Sequence, residues 1–381
     1  MNAKNRSVSS VTTALSCSAL LAGAVLFSGC EIDGLQDEAG AGDNAELRAA
    51  NCKIDWGCTG NSPIVGNFGM HELSLDHLVD PATGLYFKSF RKGAKTYELD
   101  SNGRQIYARD PISKAIVLKH QDLEGGKIIL RSKDPALADQ EFELGIVSVN
   151  SAGAEFWRGP ANAVETYRIT YHIASISSPR DRRGPFELCP NPNPSSDPDA
   201  GKMGIYDTVI FGGDRYIAAT KTVLEDAAAD GRWLNIGCAG GVLAKLFLQR
   251  HAPPAFSPGI APEWESRQTL LNLYSANYCG TGKAFTFAGE PLAFATAAEG
   301  SASLPASIAS YEALWGPDGA TCLEVPRLQN SMNVWPGASL FADITAECGA
   351  KLPLCSSLPG WALPDKPFGS SLMLSANPSG S

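Results

Sequence analysis

The sequence predicts a mainly β protein, β-rich α+β in class. An N-terminal antiparallel sandwich- or barrel-like domain precedes a disulfide-braced α+β C-terminal domain. Three observations predict this. Glycine (38) and proline (25) are both abundant among the 381 residues, which favours short elements joined by many turns. Short runs rich in β-branched and aromatic residues recur between residues 85 and 175, separated by residues that bend the chain. Ten cysteines are present, in a chain whose first residues carry an export pattern, and exported chains oxidise their thiols.

That pattern occupies residues 1–29. Lys4 and Arg6 form a positive n-region, an apolar run follows from Val11 to Phe27, and Ser28-Gly29-Cys30 closes it; this is the layout of a secretory signal. The ending Leu26-Phe27-Ser28-Gly29-Cys30 resembles a bacterial lipobox, with Phe27 where leucine is the family's preference. The resemblance implies that Cys30 is lipidated and becomes the new N-terminus. Each buried acyl CH₂ contributes roughly 0.8 kcal/mol to membrane attachment, and more than one chain makes the anchor stable. The expected location is therefore the cell envelope, at the outer membrane or cell surface, with the membrane as partner through the lipid. Residues 30–51 are acidic and rich in Gly and Ala, and read as a flexible tether. The formal net charge of −9 disfavours nucleic acid as a partner, because an acidic chain gains nothing from counterion release.

Residues 52–178 read as the β-rich domain. Strands are expected near Leu85–Phe90, Thr96–Leu99, Gln105–Arg109, Ala115–His120, Lys127–Arg131, Glu141–Val149, Glu155–Arg158 and Glu165–Ser175. Asp100-Ser-Asn-Gly103, Asp110-Pro111 and Glu124-Gly-Gly126 supply the turns. Alternation is clearest where Tyr167, Ile169, Tyr171 and Ile173 share one face. Residues 179–202 are proline-rich and polar and read as a linker; their basic cluster Arg180, Arg182 and Arg183 reads as an exposed loop face.

In residues 203–362, strands are expected near Gly204–Phe211, Tyr216–Thr222 and Arg232–Cys238. A helix over Val242–His251 follows, with Leu243, Leu246, Phe247 and Arg250 on one stripe and Pro253-Pro254 as its stop. A second helix runs from Pro262 into the Tyr278-Cys279-Gly280 corner, with Gly280 as its terminator. Ala284–Ala288 and Pro291–Phe294 read as a hairpin, and Tyr311–Gly319 as an apolar segment ending in a Pro-Asp-Gly turn. The chain should fray beyond Trp361, so 363–381 reads as a disordered tail.

Loss of Cys17 with the signal and acylation of Cys30 leave eight cysteines: Cys52, Cys58, Cys189, Cys238, Cys279, Cys322, Cys348 and Cys355. An even number in an exported chain favours disulfides. None shows the paired spacing of a zinc site, so no metal or other cofactor is expected. Cys52–Cys58 and Cys348–Cys355 are the two locally closable pairs. The other four stay unassigned, with Cys279–Cys322 the attractive choice. No nucleophile elbow, P-loop or two-histidine metal helix is present. Asp197-Pro-Asp-Ala-Gly201 lacks the later glutamate of a calcium loop. His71 and His77 stand six apart, the wrong spacing for one helical turn. Cys279 with His251 or His172 is the one nucleophile pair worth testing. Trp233, Trp264, Tyr274, Tyr278, Trp315 and Trp335 either pack a core or line a ligand groove.

Three segments carry a resemblance: Cys238-Ala-Gly-Gly-Val-Leu-Ala-Lys245, the corner Ser275-Ala-Asn-Tyr-Cys-Gly280, and Trp315-Gly-Pro-Asp-Gly-Ala-Thr-Cys-Leu323. Together they resemble the ADYC domain family of bacterial secreted and lipid-anchored proteins, and Trp56–Pro63 and His71-Glu-Leu73 look like segments that precede this domain. The motif stands here as Ala276-Asn277-Tyr278-Cys279, with an amide in place of the acid. Relatives often carry two further cysteines where this chain has Leu246 and the stretch Gln268–Leu271; joint loss of a pair implies an even set of disulfides here. The resemblance implies fold and localisation but no activity. The expected role is a non-enzymatic envelope module that binds an envelope protein or polysaccharide, or gives structural support. The alternatives are a secreted hydrolase with its site between the two domains, and a glycan-binding module.

Overall fold

Tyr167, Ile169 and Tyr171 do turn to one side of an extended strand, and all three are buried. The computed structural model that shows this describes residues 63–65, 68–71, 73–80, 83–156, 162–178, 180–189, 207–217, 219–224, 232–238, 241–251, 263–286, 292–296, 308–329, 340–359 and 373–378. In chain order the first strands are β1 (Ile64–Val65), β2 (Phe68–Gly69), β3 (Leu73–Ser74), β4 (Leu85–Lys92), β5 (Lys95–Ser101), β6 (Ile106–Arg109), β7 (Ile116–Lys119), β8 (Gly126–Ser132), β9 (Gln140–Glu155), β10 (Ala163–Ser175) and β11 (Arg182–Glu187). They are followed by β12 (Asp207–Gly212), β13 (Arg215–Ile217), β14 (Thr222–Leu224), β15 (Trp233–Cys238) and helices α1 (Val242–Leu248) and α2 (Trp264–Ser275). The last elements are β16 (Ala293–Thr296), β17 (Ile308–Gly316), β18 (Gly319–Leu323), α3 (Leu340–Cys348) and β19 (Met373–Pro378).

Strands β3-β15-β12-β10-β9-β8-β4-β5-β6-β7 form one antiparallel sheet, with β11 added on β10. The chain is thus mainly β, as the sequence predicts. The sheet crosses the proposed linker. β12 pairs with β10 through Tyr167↔Thr208, and β15 returns to β3 through Leu234↔Leu73. The described strands before residue 178 and those of residues 207–238 therefore share a sheet and do not form separate modules. Within the expected linker, Arg182–Glu187 form β11 on β10, so Arg182 and Arg183 stand on a strand and not on a loop, while residues 190–206 lie outside the described residues.

One face of the sheet encloses a core of Phe87, Phe90, Leu130, Phe142, Leu144, Tyr167, Ile169 and Ile236. β12 is buried on both faces: Ile210 joins this core, while Val209 and Phe211 join a second one beneath α1 and α2. The Phe211 and Phe247 rings stack at 4.7 Å, an arrangement worth about 1 kcal/mol beyond the area it buries.

Several boundaries differ from expectation. α1 stops at Leu248 because Arg250 takes a left-handed conformation (φ 62°) and His251 N–H bonds back to Leu246 O. α2 stops at Ser275, not at Gly280. Ala276 is left-handed (φ 49°), and the Asn277 N–H closes on Asn272 O at 2.9 Å. The expected strand over 216–222 is a hairpin, β13–β14, turning at left-handed Lys221. Ala284 and Phe285 are buried outside any strand, and β16 pairs with β19 in place of a local hairpin. The reading of 363–381 as a disordered tail is corrected as well. Met373–Pro378 lies between β16 and β17, and Met373, Leu374 and Ser375 are buried there.

α2 is polar yet buried from Arg267 to Ser275. Burial of polar groups is tolerated only when they are hydrogen-bonded. Gln268 Oε1 accepts from the Val223 N–H and its Nε2 donates to Lys221 O, so the helix is pinned to β14 and the turn before it. Arg267 clamps Asp214 with Nε at 2.7 Å and Nη2 at 3.1 Å, and Asn235 donates to Asp214 O. Burial, only partly offset by Arg267, pushes the Asp214 carboxyl up to about 6. The folded state therefore holds this proton more tightly than the unfolded chain. The contribution is present below about pH 4 and is lost as the pH rises through about 6. Asp214→Asn, which cannot titrate, should gain on the wild type by about 2–3 kcal/mol between about pH 4 and about pH 7. Urea unfolding at the two pH values measures this, and a difference that stays constant with pH would contradict it.

Candidate functional site

The corner after α2 is assembled by amides. Asn272 Nδ2 donates to Gly316 O (3.2 Å) and Pro317 O (2.8 Å), so its Oδ1 faces inward. That oxygen accepts from Gln268 Nε2 and Asn277 Nδ2, and Asn277 Oδ1 accepts from the Gly282 N–H. The turn at Gly280 presses on the β17–β18 turn. A Cβ on Gly280 would stand 2.3 Å from Asp318 O, and one on Gly319 would stand 2.6 Å from Tyr278 O. Both glycines have positive φ (68° and 115°), so a side chain is excluded by conformation and by contact.

Tyr278 points into the second core, stacked on Trp315 at 5.0 Å, and donates to Glu312 Oε1 at 2.6 Å. The fully buried Glu312 carboxylate also accepts from Arg327 Nε (2.7 Å), Arg327 Nη2 (3.0 Å) and Ser375 Oγ (2.7 Å). Arg327 Nη2 reaches Leu273 O, near the end of α2, at 2.7 Å. Trp315 Nε1 donates to Ser375 Oγ. Burial, then the Glu312 charge, raise the Tyr278 phenol well above its ordinary value, so it stays a neutral donor. Lys245 lies under the same core, 5.7 Å from the Tyr274 ring centroid, and burial followed by the Arg327 charge lowers its pKa. Tyr278, Glu312, Arg327, Ser375 and Trp315 hydrogen-bond to one another and act as a brace.

The disulfides are Cys189–Cys238, Cys279–Cys348 and Cys322–Cys355. The expected Cys348–Cys355 and Cys279–Cys322 pairs are thus both replaced. Cys348 ends α3, which lies on the corner and offers its sulfur to Cys279. Gly349 (φ 68°) then turns the chain away, and Pro353 O accepts from the Leu323 N–H, which carries Cys355 to β18 and Cys322. Cys279 is bonded and supplies no thiolate. Cys30, Cys52 and Cys58, with their expected lipidation and bridge, lie outside the described residues.

A cleft of about 720 Å³ opens where residues 75–77 and Arg232 meet β4, β5 and the β6–β7 turn. Three ion pairs line it: Arg232–Asp76, Lys114–Glu98 and Arg109–Asp100. Burial works against the Asp100 charge. Hydrogen bonds from Arg109, the Ser101 N–H and the Tyr107 hydroxyl outweigh it and lower the pKa. His77 stacks on Phe87 at 5.3 Å, with Nδ1 at 2.8 Å from Phe87 O, and Tyr97 completes the wall. The cleft thus offers matched donors and acceptors beside aromatic faces. Among the described residues, no cluster of His, Cys, Asp and Glu has the makings of a metal centre.

A sequence-family profile described as the ADYC domain matches residues 120–329, more than half the chain. The chain belongs to this family. Neither comparison with curated proteins nor comparison with solved structures gave a match. The ADYC span begins at His120, inside the first half of the sheet, so the family unit includes β8–β12 as well as the corner.

Within this ADYC chain, Ala276, Asn277, Tyr278 and Cys279 hold backbone, amide network, buried anion and disulfide respectively. Tyr278 and Trp315 are buried in the core, and Trp264 Nε1 donates to Val223 O. Trp335 lies outside the described residues. The histidines do not converge. Instead His120 Nδ1 lies 2.6 Å from buried Glu165, whose other oxygen takes the Tyr167 hydroxyl. Sequence reasoning missed Glu312, Arg327 and Ser375, because nothing in their local surroundings marks them as partners. A lone acid in the apolar run 311–316 was the available signal for Glu312.

Replacing both Cys279 and Cys348 by Ala opens a loop with a sequence separation of 69 and should cost about 4 kcal/mol on loop-entropy grounds. A peptide map of unreduced protein should return the three bridges above, and a Cys279–Cys322 peptide would refute the arrangement. Asn277→Asp sets a carboxylate against Asn272 Oδ1 in a buried site and should destabilise by about 3 kcal/mol. Unchanged thermal unfolding would show that Asn272 can rotate to accommodate it.

Proposed function

We propose that this protein is an exported, lipid-anchored component of the cell envelope, held through Cys30. In this reading its folded part is a non-enzymatic binding module with the ion-paired cleft as ligand site. One observation carries the reading: all six cysteines among the described residues are in disulfides. Such bonds persist in oxidising compartments outside the cytosol, which is where the signal-like segment and the Ser28-Gly29-Cys30 ending would send the chain. The pairing of Cys279 also takes away the best nucleophile of a hydrolase reading.

The cleft suits a polar, uncharged ligand such as a short glycan. Six of its charged groups form three ion pairs that present hydrogen-bonding edges beside Lys88, while Tyr97 and His77 offer faces to a sugar ring. Detergent phase partition of the expressed full chain tests the anchor. Wild type should enter the detergent phase and Cys30→Ser should stay aqueous; equal partition of both would end the lipoprotein reading. Tyr97→Ala should weaken retention on neutral envelope polysaccharide about fivefold, since a stacked ring contributes about 1 kcal/mol. Unaltered retention would move the site elsewhere.

A further inference from the structure

The outer face of the sheet, across β4, β8, β9, β10 and β11, carries a layered charge arrangement. Glu141 on β9 is shared by Arg131 (2.7 Å) and Arg91 (3.9 Å). Glu143, two residues on, is shared by Lys127 (2.8 Å) and Arg182 (2.7 Å). Arg168 pairs with Glu187 beside them. Five cations thus meet three carboxylates, with Asp207 of β12 opposite Arg168 as a fourth at the margin, on a protein whose formal net charge is −9.

The two signs lie at different depths. The cation side chains are 31–50% exposed and the carboxylates 13–25%. Ile129 points to this outer face yet is 1% exposed, which places it beneath the long stems of the basic residues. A molecule approaching this face meets ammonium and guanidinium groups first. The strand spacing sets them out as a comb roughly 19 Å across five strands.

We propose that this face binds an acidic polysaccharide. The carboxylates of a linear polyuronate can engage the outward N–H edges of Arg91, Arg131, Arg168 and Arg182 in turn, with bidentate geometry. Glu187 Oε2, at the edge of the same face, is buried and makes no hydrogen bond among the described residues. A cation that lifts toward the ligand uncovers this oxygen for a sugar hydroxyl. The cations are spread across β4, β8, β10 and β11, a row that suits the repeated carboxylates of a linear chain. The proposal is independent of the cleft, which takes an uncharged ligand.

The test is isothermal titration of the full chain with polygalacturonate at low and near-physiological salt. Dextran and phosphatidylglycerol vesicles serve as separate arms. Wild type should bind polygalacturonate, lose about tenfold in affinity at the higher salt, and ignore dextran through this face. The triple variant Arg91→Gln, Lys127→Gln, Arg168→Gln should lose about tenfold or more at low salt. Arg91→Lys with Arg168→Lys, which keeps the charge but not the two-pronged donor, should lose less affinity than the triple variant and report on folding. Absence of binding at low salt overturns the proposal, as does binding that the triple variant leaves unchanged. Binding to vesicles but not to polygalacturonate also overturns it and assigns the face to lipid.

Discussion

A buried carboxylate imposes the strictest demand in this molecule. Glu312 sits in a dry core, where an ion without partners would cost several kcal/mol. It is tolerable only because four donor atoms from three residues converge on it. Those residues come from the corner after α2, from the segment after β18, and from β19. The anion therefore requires three remote pieces of chain to arrive together. Hydrophobic packing alone would accept many arrangements of Trp315, Tyr278 and Phe285; the convergence on Glu312 accepts very few. A buried ionic group of this kind is weak as a source of stability and strong as a selector of one arrangement.

A second constraint joins the two cores. β12 has no solvent side, so its residues alternate between Ile210 facing one core and Val209 and Phe211 facing the other. Shifting its register by one residue would exchange those faces. The Cys189–Cys238 bond holds the chain near β11 to the end of β15, close to the same strand. The ADYC match, beginning at His120, describes this joint construction and not a module hung on a separate β domain.

What could be read in the residues follows from how local the signal is. Alternation in Tyr167–Ile173 and the turns at Asn102-Gly103 and Glu124–Gly126 are local, and the strands they announce are present. The class, strand-rich and disulfide-braced, was legible for the same reason. The pairing of cysteines was not, because sequence proximity of Cys348 and Cys355 is undone by one left-handed glycine and an extended segment. The burial of α2 was not, since Arg267, Gln268 and Asn272 look like a solvated face until Asp214, Val223 and Gly316 supply their partners. The cleft draws on residues from 75 to 114 and then on Arg232, and no window of sequence holds both.

The place of β19 has a consequence for the order of events in folding. It is the last strand described, yet it lies between β16 and β17 and carries Ser375 to Glu312. While the chain emerges from its N-terminal end, the large sheet has its strands by residue 238. The small one must wait about 140 residues more for its middle. Until then β16 and β17 show unpaired edges, and edges of that kind recruit other chains. The interval between synthesis of β17 and arrival of β19 is thus when a nascent molecule is most exposed to misassembly and has most to gain from a chaperone.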